Sequence, residues 1–155
     1  MNDNKKHVVL ILSHKFPEKH ISRGKDTDFN KKLLEGEKIH TIRSNYDLWK
    51  HNITKINKMG YELSVREWTG VPYRSQQREI KTLSKIGYES ISMEYIPETK
   101  DIRAVINGKT IPDVRQIAHN DGLDWNDFVD WFFGNGTTSF QGIIVHFTEF
   151  RYAKI

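Results

Sequence analysis

Residues 36–43 read GEKIHTIR, with Lys38 and Thr41 three apart between Gly36 and Arg43. A threonine hydroxyl is a poor nucleophile until a base takes its proton. A lysine whose proton affinity is reduced by partial burial or by nearby cations can be that base. Lys38 and Thr41 are therefore a chemically reasonable pair, yet an incomplete one, because an acid or oxyanion donor must come from elsewhere in the chain. Arg43 shares strand parity with Ile39 and Thr41, and an unpaired buried guanidinium is costly, so part of that face must be wet or hydrogen-bonded. A solvated strand end and a polar site both satisfy this condition.

Two further stretches carry polar side chains in suggestive order. IAHNDGLDW, residues 117–125, sets His119, Asn120 and Asp121 between an apolar pair and Trp125, with Gly122 free to take positive φ. An ordinary Asn-Asp-Gly turn, with Asp121 serving as a helix cap, explains it as well as a site does. REWTGVPYRSQQ, residues 66–77, offers Trp68 and Tyr73 for stacking on a base, with Arg66, Arg74 and two glutamines for hydrogen bonds. It reads equally as an aromatic-anchored loop. The seven histidines include His14 and His20, six apart, and His119 near Asp121. None has HExxH spacing or a cysteine partner, so they read as scattered surface residues and no metal is expected. GxGxxG and GxxxxGK[ST] are both absent, so no nucleotide cofactor is expected.

Short strands alternating with short helices must position these residues. Val8–Ser13 is an apolar run of strand length. Thr27–Glu35 has Phe29, Leu33 and Leu34 at helical spacing, ended by Gly36 as a C-cap. Ile39–Ser44 alternates, with Ile39, Thr41 and Arg43 on one face and His40, Ile42 and Ser44 on the other. Tyr46–Lys58 puts Leu48 or Trp49, Ile53 and Ile56 on a helical stripe that ends at Gly60. Tyr61–Trp68, Ile80–Ile86, Ser90–Ile96 and Ile102–Ile106 read as strands, with Asn107-Gly108 as a hairpin signal. Helices are predicted over Asp113–His119 and Asp124–Phe133, the second capped by Asp124. In it Trp125, Phe128, Val129 and Phe132 share one face. Phe140–Phe147 is the most apolar strand. The pattern predicts an α+β domain on a small mixed barrel.

A chain of 155 residues suits one domain over 1–155, and eight Phe, six Tyr and four Trp compensate for an apolar content of 37%. Charged residues of both signs are mixed along it, unlike a disordered tail. The apolar run from Val8 to Leu12 is too short for a membrane span or a signal h-region, and reads as a first strand. The absence of cysteine removes disulfide and thiolate chemistry and makes a cytoplasmic setting the expectation. The net charge is +4, unevenly placed. Residues 1–60 hold 13 basic and 7 acidic side chains (+6), and residues 61–155 hold 11 and 13 (−2). A basic first third offers a surface for polyanions, or simply a solvated helix face.

GEKIHTIR resembles the G-x-K-x-x-T-x-R signature of ASCH domains, a branch of the PUA-like superfamily. YELSVREWTG resembles that family's second region. IAHNDGLDWNDFVDWF and then FQGIIVHFTEFRY resemble its C-terminal part, where an acidic turn precedes an aromatic helix and a final barrel strand. These segments occur in the family's order from about residue 8 to 152. The resemblance implies a small mixed β-barrel with two to four packed helices and a basic cleft that binds RNA or a modified nucleoside-like ligand. One bacterial branch consists of amidohydrolases that deacetylate acetylated cytidine, using the motif lysine, the threonine three residues on, and a glutamate before the C-terminal helix. Carried over, these fall on Lys38, Thr41 and Asp121, the last a departure that is one methylene short. Arg43, Trp68, Tyr73, Arg74, His119 and Asn120 are then the expected ligand-binding residues, with no metal or cofactor. Inserts at 17–26 and 44–58 lengthen the chain beside the cleft. A non-catalytic interaction module is the third reading.

Overall fold

The computed structural model describes residues 5–153. Its first sheet begins with β1 (His7–Ile11), whose inward residues Val8 and Leu10 pair in parallel register with Leu63 and Val65 of β3 (Glu62–Trp68). A parallel pair needs a crossover, and α1 (Phe29–Glu35) and α2 (Tyr46–Met59) lie in the intervening chain. The third strand, β4 (Gln77–Leu83), runs antiparallel to β3 with a bulge between Val65 and Arg66.

Between α1 and α2 the chain contributes β2 (His40–Arg43) to the other sheet. That sheet has the order β2-β8-β5-β6-β7 and is antiparallel throughout. Its other strands are β5 (Gly87–Ile96), β6 (Asp101–Ile106), β7 (Lys109–Ile111) and β8 (Ser139–His146). The Arg43 guanidinium at the end of β2 donates to the Ile11 carbonyl at 2.6 Å, linking the two sheets. α3 (Val114–Asn120) and α4 (Trp125–Phe133) follow β7. One continuous apolar core runs through these elements, from Leu10 and Leu63 to Ile106, Phe128 and Ile143.

The architecture is α+β, with four helices and two sheets, as the alternating pattern predicts. Among the described residues the strand pairings close no barrel. Gly36 ends α1 at φ 80°, and its N–H reaches the Leu33 carbonyl, the left-handed cap that glycine adopts without strain. Trp49, not Leu48, is the core residue of α2, and Leu48 is 48% exposed. β4 starts three residues before the expected Ile80 and stops at Leu83, because its exposed polar residues give little alternation to read. β7 completes the hairpin that Asn107-Gly108 signals, although no strand is predicted over its three residues, which are too few for periodicity to mark. Three residues after the Asn107-Gly108 turn are enough to return along β6. Among the described residues no helix is long and apolar enough to cross a membrane.

Candidate functional site

The segment around β2 inverts the usual rule for polar residues. Lys38 is 2% exposed, His40 0% and Thr41 6%. Local geometry explains why they lie inside. After the Gly36 turn the Lys38 N–H bonds back to the Lys32 carbonyl, which directs the chain inward from α1. Ile39 then donates its N–H to the Asn120 carbonyl at 2.9 Å and accepts from Phe147 at 3.0 Å. β2 is thereby held between β8 and the end of α3.

The α3–α4 junction faces it. Asp124 caps α4 by accepting the Asp127 N–H at 3.0 Å, so that duty does not fall to Asp121. Asp121 occupies the C-terminal end of α3, buried, with its carboxylate on Lys38 and His40. Lys38 Nζ donates to the Asp121 carbonyl at 2.5 Å and to Oδ1 at 3.3 Å, and it lies 4.2 Å from the centre of the Phe29 ring. Gly122, at φ +83°, brings backbone against the lysine stem; a Cβ there would sit 3.3 Å from three of its carbons. Burial pulls the Lys38 ammonium below the ordinary lysine value. Asp121 opposes that shift, and the charges of Arg43 and Lys32 add to it.

A directed chain of hydrogen bonds continues behind Asp121. His40 Nδ1 is 3.3 Å from Asp121 Oδ1, and its Nε2 is 2.7 Å from the Tyr152 hydroxyl. Burial also lowers the His40 pKa, against the pull of Asp121. In the neutral ring the carboxylate requires the proton on Nδ1, so Nε2 accepts from Tyr152. The tyrosine oxygen in turn accepts from Asn120 Nδ2 at 2.9 Å.

Lys38, Thr41, Arg43 and Asp121 all line one cavity of about 500 Å³. Phe29, Trp131, Phe132 and Phe140 supply aromatic wall, and Ser44, Asn135, Thr137 and Ser139 supply further polar groups. The segment 44–58 forms mostly α2. The segment 17–26 packs its buried His20 against α4, its Nε2–H donating to the Asp127 carbonyl at 2.9 Å while Nδ1 accepts from the Ser22 N–H, with the ring 5.7 Å from that of Trp131. It thus buttresses one wall of the cavity.

Other expected site residues lie elsewhere. Trp68 and Tyr73 do pair, with ring centres 5.1 Å apart, but neither they nor Arg74 line the cavity, and Tyr73 is 89% exposed. His119 is exposed on α3, and Asn120 is buried in the hydrogen-bond chain, outside the cavity wall. The reading of the histidines as surface residues is corrected: His20, His40 and His146 are buried. Among the described residues no group of three or more His, Asp or Glu is arranged to hold a metal ion. The aromatic walls, Tyr152 and the polar run 135–139 were missed. In sequence, the unbroken NGTTS stretch beside an aromatic helix is the signal that marked the last of these.

A second buried cluster lies on the far side of His40. His146 Nε2 is 2.8 Å from Glu89 Oε1, and Glu89 also accepts the backbone N–H groups of Tyr152 and Ala153 at 2.9 and 3.0 Å. His146 Nδ1 is buried without a partner among the described residues. Protonating it would create a stranded donor, despite the facing Glu89 carboxylate. Burial, with His40 and Arg151 nearby, pushes the His146 pKa down to about 2 from 6.5. The unfolded chain therefore binds a proton below pH 6.5 that the native state refuses. Stability attributable to His146 is full above pH 6.5 and is lost as pH falls towards 2, by about 1.4 kcal/mol per unit. Urea unfolding at pH 5 and pH 7 should show a drop that His146→Gln reduces by about 2 kcal/mol, with His40, whose pKa burial also lowers, contributing to the remainder. An unchanged drop in that variant would assign it to other groups.

No family model, curated protein or solved structure matches the chain.

Proposed function

We propose that the cavity around Lys38 and Asp121 binds a modified nucleoside or a nucleoside-like small molecule, the ligand class implied by the ASCH-like motif. One observation carries this reading: Lys38, Thr41, Arg43 and Asp121, drawn from two separate motifs, line the same cavity. Its volume of about 500 Å³ falls in the range typical of small-molecule sites. Flat aromatic rings suit a base, and hydroxyl, amide and guanidinium groups suit its hydrogen-bonding edge. In this reading the two sheets correspond to the halves of the small mixed barrel of PUA-like domains, and the cysteine-free composition supports a cytoplasmic setting. RNA is the extended form of the same ligand. It would engage the basic first third, and its affinity would fall steeply with salt, whereas a flat response would exclude a phosphate-tracking surface.

The Lys38–Asp121 contact favours a second reading, hydrolysis of an acylated nucleoside. Neutral Lys38 takes the Thr41 proton as Oγ1 adds to the acyl carbonyl, and the oxyanion is held by the Arg43 guanidinium. Lys38 returns the proton to the departing exocyclic nitrogen as the C–N bond breaks. Lys38 then takes a proton from water as its oxygen adds to the threonyl ester and returns that proton to Thr41 Oγ1 as the C–O bond breaks, and the released acid ionises in solvent. Incubation with acetylated cytidine, followed by ultraviolet absorbance, tests it. Turnover is expected, and Thr41→Val should reduce it by about 1,000-fold or more while leaving the fold intact. Binding without turnover would leave the first reading. Neither binding nor turnover would leave a non-catalytic interaction module.

A further inference from the structure

We propose that His40 is a positioning residue: held by Tyr152 and Asn120, it fixes the Asp121 carboxylate so that Oδ1 is shared between the imidazole and Lys38. This inference rests on the hydrolase reading of the site. His40 itself does not line the cavity, so it acts through Asp121 and not on a ligand. The two donors reach the same oxygen, each at 3.3 Å. Aspartate is short, and its reach to Lys38 depends on where Oδ1 is pinned. The pin is directional, with Asn120, His40 and Asp121 buried and Tyr152 half-buried: Asn120 donates to Tyr152, Tyr152 to His40 and His40 to Asp121. The groups facing Lys38 are Asp121, Arg43, Lys32 and the Phe29 ring, and those facing His40 are Asp121, Lys38, Tyr152 and His146. A carboxylate relieved of the imidazole would give its whole charge to Lys38 and make that amine a stronger base.

Asparagine and glutamine separate positioning from packing. The Asn amide can occupy the place of Nδ1–H, while the Gln amide lies nearer Nε2. Following the Lys38 ε-methylene NMR signal against pH needs no substrate. Its midpoint should stay near the wild-type value in His40→Asn and rise by about one unit in His40→Gln. The alkaline-going limb of the pH–rate profile for acetylated cytidine should move with it, a tenfold change in proton affinity. Tyr152→Phe, a milder change at the edge of the chain of bonds, should move both in the same direction by less. Equal midpoints in all three variants would overturn the proposal. If wild type shows no turnover while the NMR midpoints separate, the hydrolase reading fails and the positioning of Asp121 stands.

Discussion

Lys38→Met is expected to lower the unfolding free energy by about 3 kcal/mol at pH 7 and, on the hydrolase reading, to abolish turnover. Methionine approximates the length of the lysine stem and keeps its packing against Gly122, so the loss isolates the amine. Without it the Asp121 carboxylate remains buried, with His40 as its remaining side-chain donor. A carboxylate left so is costly, and that cost, not the worth of the pair, dominates the deficit. The double variant Lys38→Met/Asp121→Asn removes the charge as well and should recover most of the stability, but no activity. Urea titrations of wild type, Lys38→Met, Asp121→Asn and the double variant measure this coupling. Turnover by Lys38→Met within tenfold of wild type would show that the amine is not the base. Equal stability of the single and double variants would show that the carboxylate had found another partner.

Gly142→Ala should cost about as much by an unrelated route. Gly142 pairs with Ile91 of β5 on one side, and on the other a Cβ would meet the Arg43 carbonyl oxygen at 2.1 Å and the Phe140 ring at 2.9 Å. The obstacle is backbone, so a rotamer change cannot relieve it. β2 must move away from β8, taking Thr41 and Arg43 from the cavity and loosening the Arg43 link to Ile11. A loss of about 3 kcal/mol is expected, at the upper end for overpacking, together with weakened binding in the cavity. Stability within 1 kcal/mol of wild type would mean that the strands separate easily there.

Periodicity located most elements because their buried faces repeat in the expected way, as in Val8–Leu10–Leu12 and the Ile53–Ile56 stripe. It did not reveal that His40, Thr41 and Lys38 are interior. A polar alternation looks alike whether its partners are water or protein. Those partners lie far along the chain, Asp121 at a separation of 83 residues from Lys38 and Tyr152 at 112 from His40. No local pattern encodes such pairings. The Lys38–Thr41–Asp121 grouping comes from the resemblance to the ASCH signature, since, read locally, a wet strand end and an ordinary Asn-Asp-Gly turn explain both motifs as well. The loop with Trp68 and Tyr73 looked equally promising, and the structure puts it outside the cavity wall. Side-chain chemistry proposes a site, but strand register decides its membership.

The chain of bonds from Asn120 to Lys38 passes through Tyr152, a residue that Glu89 holds by its backbone, since the carboxylate that receives His146 also receives the Tyr152 and Ala153 N–H groups. The site is closed only when β2, α3, β5, β8 and the segment carrying Tyr152 are all docked. It has no local folding unit of its own, because its contacts join residues far apart in the chain. The surroundings of Lys38 and the integrity of the distant strands are therefore coupled, so damage at Glu89 should be felt at the cavity.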